Sequence, residues 1–362
     1  MNWKTFLSIA LLSAGFSLGN HSLVRAETLN ILMEVSGTVE RKAPDWSEYQ
    51  PVSIGQPLGI DDRLRVRGPN AHALIQCTNY KEWQIDSGDV VKISQGCPDN
   101  GPQWNTNDTQ ATPRTAIEPQ QAYILAPRNT AVMLGPQFLR WRHPRQEAQT
   151  YRIVVKTLSN RWVSDPASRS PIRYSGELEP SKNYQICLVS DDRNSGGSCN
   201  SSDLPTFEVL DADTAAKVRQ EVRRLQRQNL PTPIHQLSQA DLYARYELYQ
   251  AAIDTLRPLI DRGSEHLAVY KLQARLYEQI GLPPRAIALY KQALALVKDS
   301  NMSDRAYIQE RLGKLQYRGT NYAEAVTWLQ QAHQSYSQFL DLSLDSNQQR
   351  LQALEKKLTD AR

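Results

Sequence analysis

The 362-residue chain has no apolar run of the ~18–20 residues that a membrane-spanning helix needs. It also lacks H-E-x-x-H, G-x-S-x-G, a P-loop, and a G-x-G-x-x-G placed before a helix. Sequence support for zinc hydrolases, serine hydrolases and nucleotide-dependent enzymes is therefore missing. Its histidines, His21, His72, His143, His235, His266 and His333, are scattered rather than clustered at ligand spacings. The four cysteines form no C-x-x-C, which disfavours zinc and redox chemistry. Charge is nearly balanced, with 42 Lys and Arg against 38 Asp and Glu, too slight a surplus to indicate nucleic acid. The expectation is a protein with no catalytic residues, no metal and no cofactor.

What is present begins with a targeting signal. Lys4 precedes the short apolar stretch "FLSIALLSAGFSLG" at Phe6–Gly19, and "VRA" ends at Ala26 with small side chains suited to cleavage. Residues 1–26 are expected to be a signal peptide, the alternative being an uncleaved N-terminal anchor. Export to the periplasm or the extracellular envelope would put the cysteines in an oxidising compartment. Four cysteines allow three pairings. Cys77 and Cys97 lie 20 residues apart in one segment, while Cys187 and Cys199 bracket "LVSDDRNSGGS" and can face each other across a hairpin. Free buried thiols are the alternative.

Residues 27–97 read as short strands separated by Gly, Pro, Asn and Asp. The stretches "VSGTV" at Val35–Val39, "IGQPLGIDDRLRV" at Ile54–Val66, "AHALIQC" at Ala71–Cys77 and "WQIDSGDVVKI" at Trp83–Ile93 resemble the FecR-type β domain of bacterial envelope proteins. Residues 98–119 are rich in Pro, Asn, Thr and Gln and read as a linker. From 120 to 210, strand-like segments recur at β-sandwich spacing, similar to a fibronectin type III or immunoglobulin-like domain with Trp141 and Tyr151 in its core. In "RWRHPR" at Arg140–Arg145 the arginines are expected to alternate outward into solvent. Residues 211–230 form a connector helix after an Asp/Thr cap signal. Its apolar face (Val218, Val222, Leu225) opposes Lys217, Arg219, Arg223, Arg224 and Arg227. Such a helix suits an anionic lipid surface or a partner. Packing of its stripe on the next helix pair is the expectation, so membrane contact is not required.

Residues 231–362 carry a repeat. Ala252-Ile253, Ala286-Ile287 and Ala325-Val326 recur at 34 and 39 residues, the longer interval accommodating "KDSNMSD". Earlier in each unit stand Ala240, Ala274 or Gly313, small residues that let two helices approach closely. In "YEQIGLPPRAIALY", Gly281 suits a left-handed helix end and Pro283-Pro284 the first turn of a second helix. The pattern resembles three tetratricopeptide repeats, followed by a capping helix with Leu351, Leu354 and Leu358 at helical spacing. The resemblance implies a concave face lined by Asp241 and Arg245, then Lys271, Arg275 and Glu278, then Glu310, Lys314, Tyr317 and Arg318. Five bases against three acids imply an acidic peptide or a chain-terminal carboxylate as partner.

The expected fold class is thus multidomain β + α, two small β domains followed by an all-α repeat array. The expected function is a non-enzymatic protein-interaction scaffold of the cell envelope. The alternative is a ligand sensor or glycan-binding protein acting through the FecR-like domain.

Overall fold

Alternation of apolar and polar residues produces two long strands, β1 (Asn30–Lys42) and β4 (Arg63–Gln76), paired antiparallel. Leu32, Val39, Leu64, Val66, Ala73 and Ile75 point into one core. The short strands β2 (Gln50–Pro51) and β3 (Pro57–Leu58) add to β1. β5 (Glu82–Asp86) and β6 (Val90–Lys92) add to β4, completing a six-stranded sheet. A Cys77–Cys97 disulfide is buried in this core. The computed structural model describes residues 30–78, 81–97, 122–142, 150–190, 199, 204–228 and 230–361. The leader at 1–26, the linker at 98–119 and residues 191–198 between Cys187 and Cys199 lie outside the described residues.

The second β unit comprises β7 (Tyr123–Ala126), β8 (Thr130–Val132), β9 (Phe138–Arg142), β10 (Tyr151–Lys156), β11 (Arg161–Val163), β12 (Ile172–Arg173), β13 (Asn183–Ser190) and β14 (Thr206–Val209). One sheet runs β11-β10-β13-β14-β8 and the other β12-β9-β7. Leu139, Trp141, Tyr151, Ile153, Tyr184, Ile186 and Phe207 share the core of this unit. The β14–β8 pair is parallel, unlike the other pairs described in this unit. A Cys187–Cys199 disulfide ties β13 to the connection ahead of β14.

Beyond Leu210 the period becomes helical. α1 (Ala212–Gln226) starts at Asp211, whose side chain accepts a hydrogen bond from the Thr214 amide at 2.8 Å. Seven helices follow: α2 (Thr232–Arg245), α3 (Tyr249–Asp261), α4 (Leu267–Gln279), α5 (Pro283–Leu296), α6 (Met302–Arg318), α7 (Tyr322–Ser337) and α8 (Asp345–Ala361). The turns between α2 and α3, α4 and α5, and α6 and α7 are one motif used three times. Each has a central residue at positive φ: Glu247 (58°), Gly281 (72°) and Thr320 (61°). The amide of the next residue bonds back five positions, Leu248 to Tyr243, Leu282 to Tyr277 and Asn321 to Gln316, at 2.8–3.0 Å. These bonds satisfy carbonyls that the helix end would otherwise leave open. Pro283 and Pro284 occupy the first turn of α5, where the missing amides have no helical acceptor.

Ala240, Ala252, Ala274, Ala286 and Ala325 are all fully inaccessible and sit where paired helices touch. At Gly313 the approach is closer still, since a Cβ there would lie 2.6 Å from Leu329 Cγ. α8 closes the stack, with Leu354 buried and Leu351 and Leu358 packed beside it.

Candidate functional site: the inner wall of the helical array

α2, α4 and α6 lie side by side, and their i, i+3/i+4 stripes form one wall. Leu237, Asp241 and Arg245 come from α2, Ala268, Lys271, Arg275 and Glu278 from α4, and Glu310, Lys314, Tyr317 and Arg318 from α6. The structure places most of these charges in internal ion pairs. Arg245 pairs with Asp241 at 3.1 Å, both nearly inaccessible. Lys271 pairs with Asp304, and Arg311 grips both oxygens of Glu278. Lys314 meets Glu310 at 2.8 Å. Arg275 is half-buried near the Tyr249 hydroxyl. Tyr317 is half-buried, edge-on to Tyr322, with the Lys357 ammonium 5.6 Å from its ring centre. Of the nine residues expected to line the concave face, Arg318 alone is exposed.

The partners of these charges were not evident from the repeat alignment. Asp304 and Arg311 both lie 33 residues after their partners, six short of the 39-residue interval that relates α4 to α6, so the repeat spacing carries no signal for them. They cross from α4 to α6. Each of the two buried glutamates is also bonded by a tyrosine. The Tyr290 hydroxyl donates to Glu278 at 2.7 Å, and the Tyr336 hydroxyl to Glu310 at 2.6 Å. Arg350 of α8 donates to Glu310 at 2.6 Å and also to the Tyr336 oxygen. Burial alone would raise the Glu310 carboxyl, but Arg350 and Lys314 outweigh it and hold the pKa at about 2. Burial and the neighbouring carboxylates push the Tyr290 and Tyr336 hydroxyls well up, so both remain donors.

The wall is also occupied by the protein's own β units. The turn at Gly55, with φ +82°, reaches it so closely that a Cβ would stand 3.0 Å from Leu237 and 3.1 Å from Ala268. A glycine serves both the backbone angle and the space. Ile31 joins the helical core, and the Ser238 hydroxyl donates to Gln76 at 2.8 Å. Further along, Gln50 accepts from the Met302 amide at the start of α6. Trp46 packs edge-on against Phe339 at 5.3 Å, and Asn347 of α8 donates to the Asp45 carbonyl at 2.7 Å. The first β unit therefore touches α2, α4, α6 and α8.

The second β unit holds the opposite ends of α2 and α4. Arg128 is buried and donates from Nε to the Ile280 carbonyl at 2.8 Å, where the negative end of the α4 dipole attracts a cation. Desolvation pulls its guanidinium down to about 10, still charged near neutral pH. Asn129 donates to the same carbonyl at 3.3 Å. The Ala131 amide and the Thr130 hydroxyl donate to the Glu247 carbonyl at 2.9 and 3.0 Å. Arg140 corrects the expectation of outward arginines, because it donates to both oxygens of Asp254 on α3 at 3.1 and 2.6 Å. The α3 surface supplies a carboxylate that the strand pattern could not announce. Arg142 is exposed as expected.

No family model and no curated protein matches the chain. A solved structure described as "Crystal structure of MamA protein" is similar at 13% identity. The match covers 41% of this chain and 79% of that one with a TM-score of 0.29, too low to show a shared fold. The two disulfides fit an oxidising, exported location. No helix among the described residues is long and apolar enough to cross a membrane.

Proposed function

We propose that the protein is an exported, non-enzymatic scaffold of the bacterial cell envelope, whose helical array holds a protein or peptide segment along its inner wall. One observation supports this most: the wall already grips polypeptide in cis. The Gly55 turn lies on Leu237 and Ala268, and the 128–131 segment hooks onto the carbonyls of Ile280 and Glu247. Backbone carbonyls at helix ends and small apolar wall residues are what an extended segment would use. In this reading the N-terminal sheet, FecR-like in sequence, is a brace, and a partner continues the occupancy at the third repeat. There Arg318 and Tyr322 are exposed beside Tyr317 and Lys357. The preference for an acidic segment is confined to this end, because the other wall charges are engaged internally.

The test compares capture from envelope extract by the intact protein and by a Tyr317→Ser/Arg318→Glu variant. Partners enriched by the intact protein should be lost with the variant, while its helical circular dichroism stays unchanged. Identical recovery by both proteins overturns the proposal.

A further inference from the structure

The net charge of the chain is concentrated in one place. Residues 217–227 contain Lys217, Arg219, Arg223, Arg224 and Arg227 with a single acid, Glu221. The rest of the chain has 37 bases (42 − 5) and 37 acids (38 − 1), so it is formally neutral.

On α1 the acids Asp211 and Asp213 sit at the N-terminal end, away from Arg219, Arg223 and Arg227. α1 buries Ala215, Val218 and Leu225, and Val218 shares a cluster with Ala131 and Leu248, half-buried Val222 packing beside it. Glu221 turns toward the same side and accepts a hydrogen bond from the Tyr246 hydroxyl at 2.7 Å. All five bases are exposed. Arg219, Arg223 and Arg227 form a row one helical turn apart, roughly 6 Å between neighbours. Among the described residues none of these three makes an ion pair.

We infer that the exposed face of α1 is a contact surface for anionic phospholipid headgroups. The apolar stripe of α1 is committed to the protein core, so the contact is peripheral and electrostatic, with no inserted side chain. Guanidinium groups at this spacing pair with headgroup phosphates, and the attraction acts within about 8–10 Å of the surface at ordinary salt. The acid-free row distinguishes this face from the wall of the array, where every base named in an ion pair has a carboxylate beside it.

The test is co-sedimentation of the purified exported protein with vesicles of phosphatidylcholine alone and of phosphatidylcholine mixed with phosphatidylglycerol. Binding should require the anionic lipid and weaken with salt. An Arg219→Gln/Arg223→Gln/Arg227→Gln variant should bind on the order of 100-fold more weakly, while the triple Arg→Lys variant keeps most of the binding. The three side chains are exposed, so both variants should retain the parent melting temperature. Equal binding to neutral vesicles, undiminished binding by the glutamine variant, or binding to soluble polyglutamate but not to vesicles would each overturn the inference.

Discussion

Replacing Glu310 with Gln tests the buried charge that links three helices. The Glu310 side chain is 8% exposed, pairs with Lys314 on its own helix and with Arg350 of α8, and accepts from Tyr336 of α7. Its pKa falls from an ordinary 4.5 to about 2 because the two cations outweigh the cost of burial. At ~1.4 kcal/mol per tenfold change in proton affinity, that shift corresponds to about 3 kcal/mol of folding stability. The sign follows from the depressed folded-state value. The contribution is fully present above the unfolded value of about 4.5 and disappears as pH falls toward 2. Gln conserves volume and can still accept from Tyr336, but it leaves Arg350 and Lys314 facing a neutral amide. Urea titrations followed by helical circular dichroism at a series of pH values measure the difference between parent and variant. It should be about 3 kcal/mol near neutrality and close to zero near pH 2. A variant as stable as the parent at neutral pH, or a difference that does not shrink in acid, would refute the reasoning.

Three further substitutions probe the packing. Gly313→Ala should destabilise by about 1–3 kcal/mol in urea titration, because the added methyl meets Leu329 Cγ at 2.6 Å and its backbone nitrogen at 3.1 Å. Thr320→Gly should stabilise by about 0.5–1 kcal/mol in the same assay, since it relieves a β-branched residue held at φ 61°. Cys77→Ser with Cys97→Ser should cost about 3 kcal/mol, the loop-closure value for a separation of 20 residues. Hydrogen exchange should locate that loss in β1 and β4.

The parts of the fold that were legible are those where local geometry restricts residue type. Close helix contacts demand small side chains, so Ala240, Ala252, Ala274, Ala286, Gly313 and Ala325 mark the repeat. Of the three identical turns, only the one at Gly281 is visible in sequence. Glu247 and Thr320 hold the same positive φ with side chains that do not advertise it. Strand alternation revealed the sheets, but not the parallel pairing of β14 with β8, which depends on contacts far apart in sequence. The wall charges were located but their engagement was not, because Asp304 and Arg311 lie 33 residues after their partners where the local repeat interval is 39, and Arg350 belongs to α8, outside the repeat. Contacts such as Trp46 on Phe339 and Arg140 on Asp254 carry no periodic signature at all.

The central claim is that the inner wall is held in cis by the N-terminal β unit, and a Gly55→Cys/Ala268→Cys variant tests it most directly. A Cβ at position 55 would lie 3.1 Å from the Ala268 Cβ, inside the ~3.5–4.5 Å of a disulfide, so the turn must back off by a few tenths of an ångström to close the bond and relieve the contact with Leu237. Peptide mass mapping of the folded, oxidised variant should find residues 55 and 268 linked, with Cys77–Cys97 and Cys187–Cys199 intact. Both new thiols remaining open to alkylation in the folded protein would contradict the account.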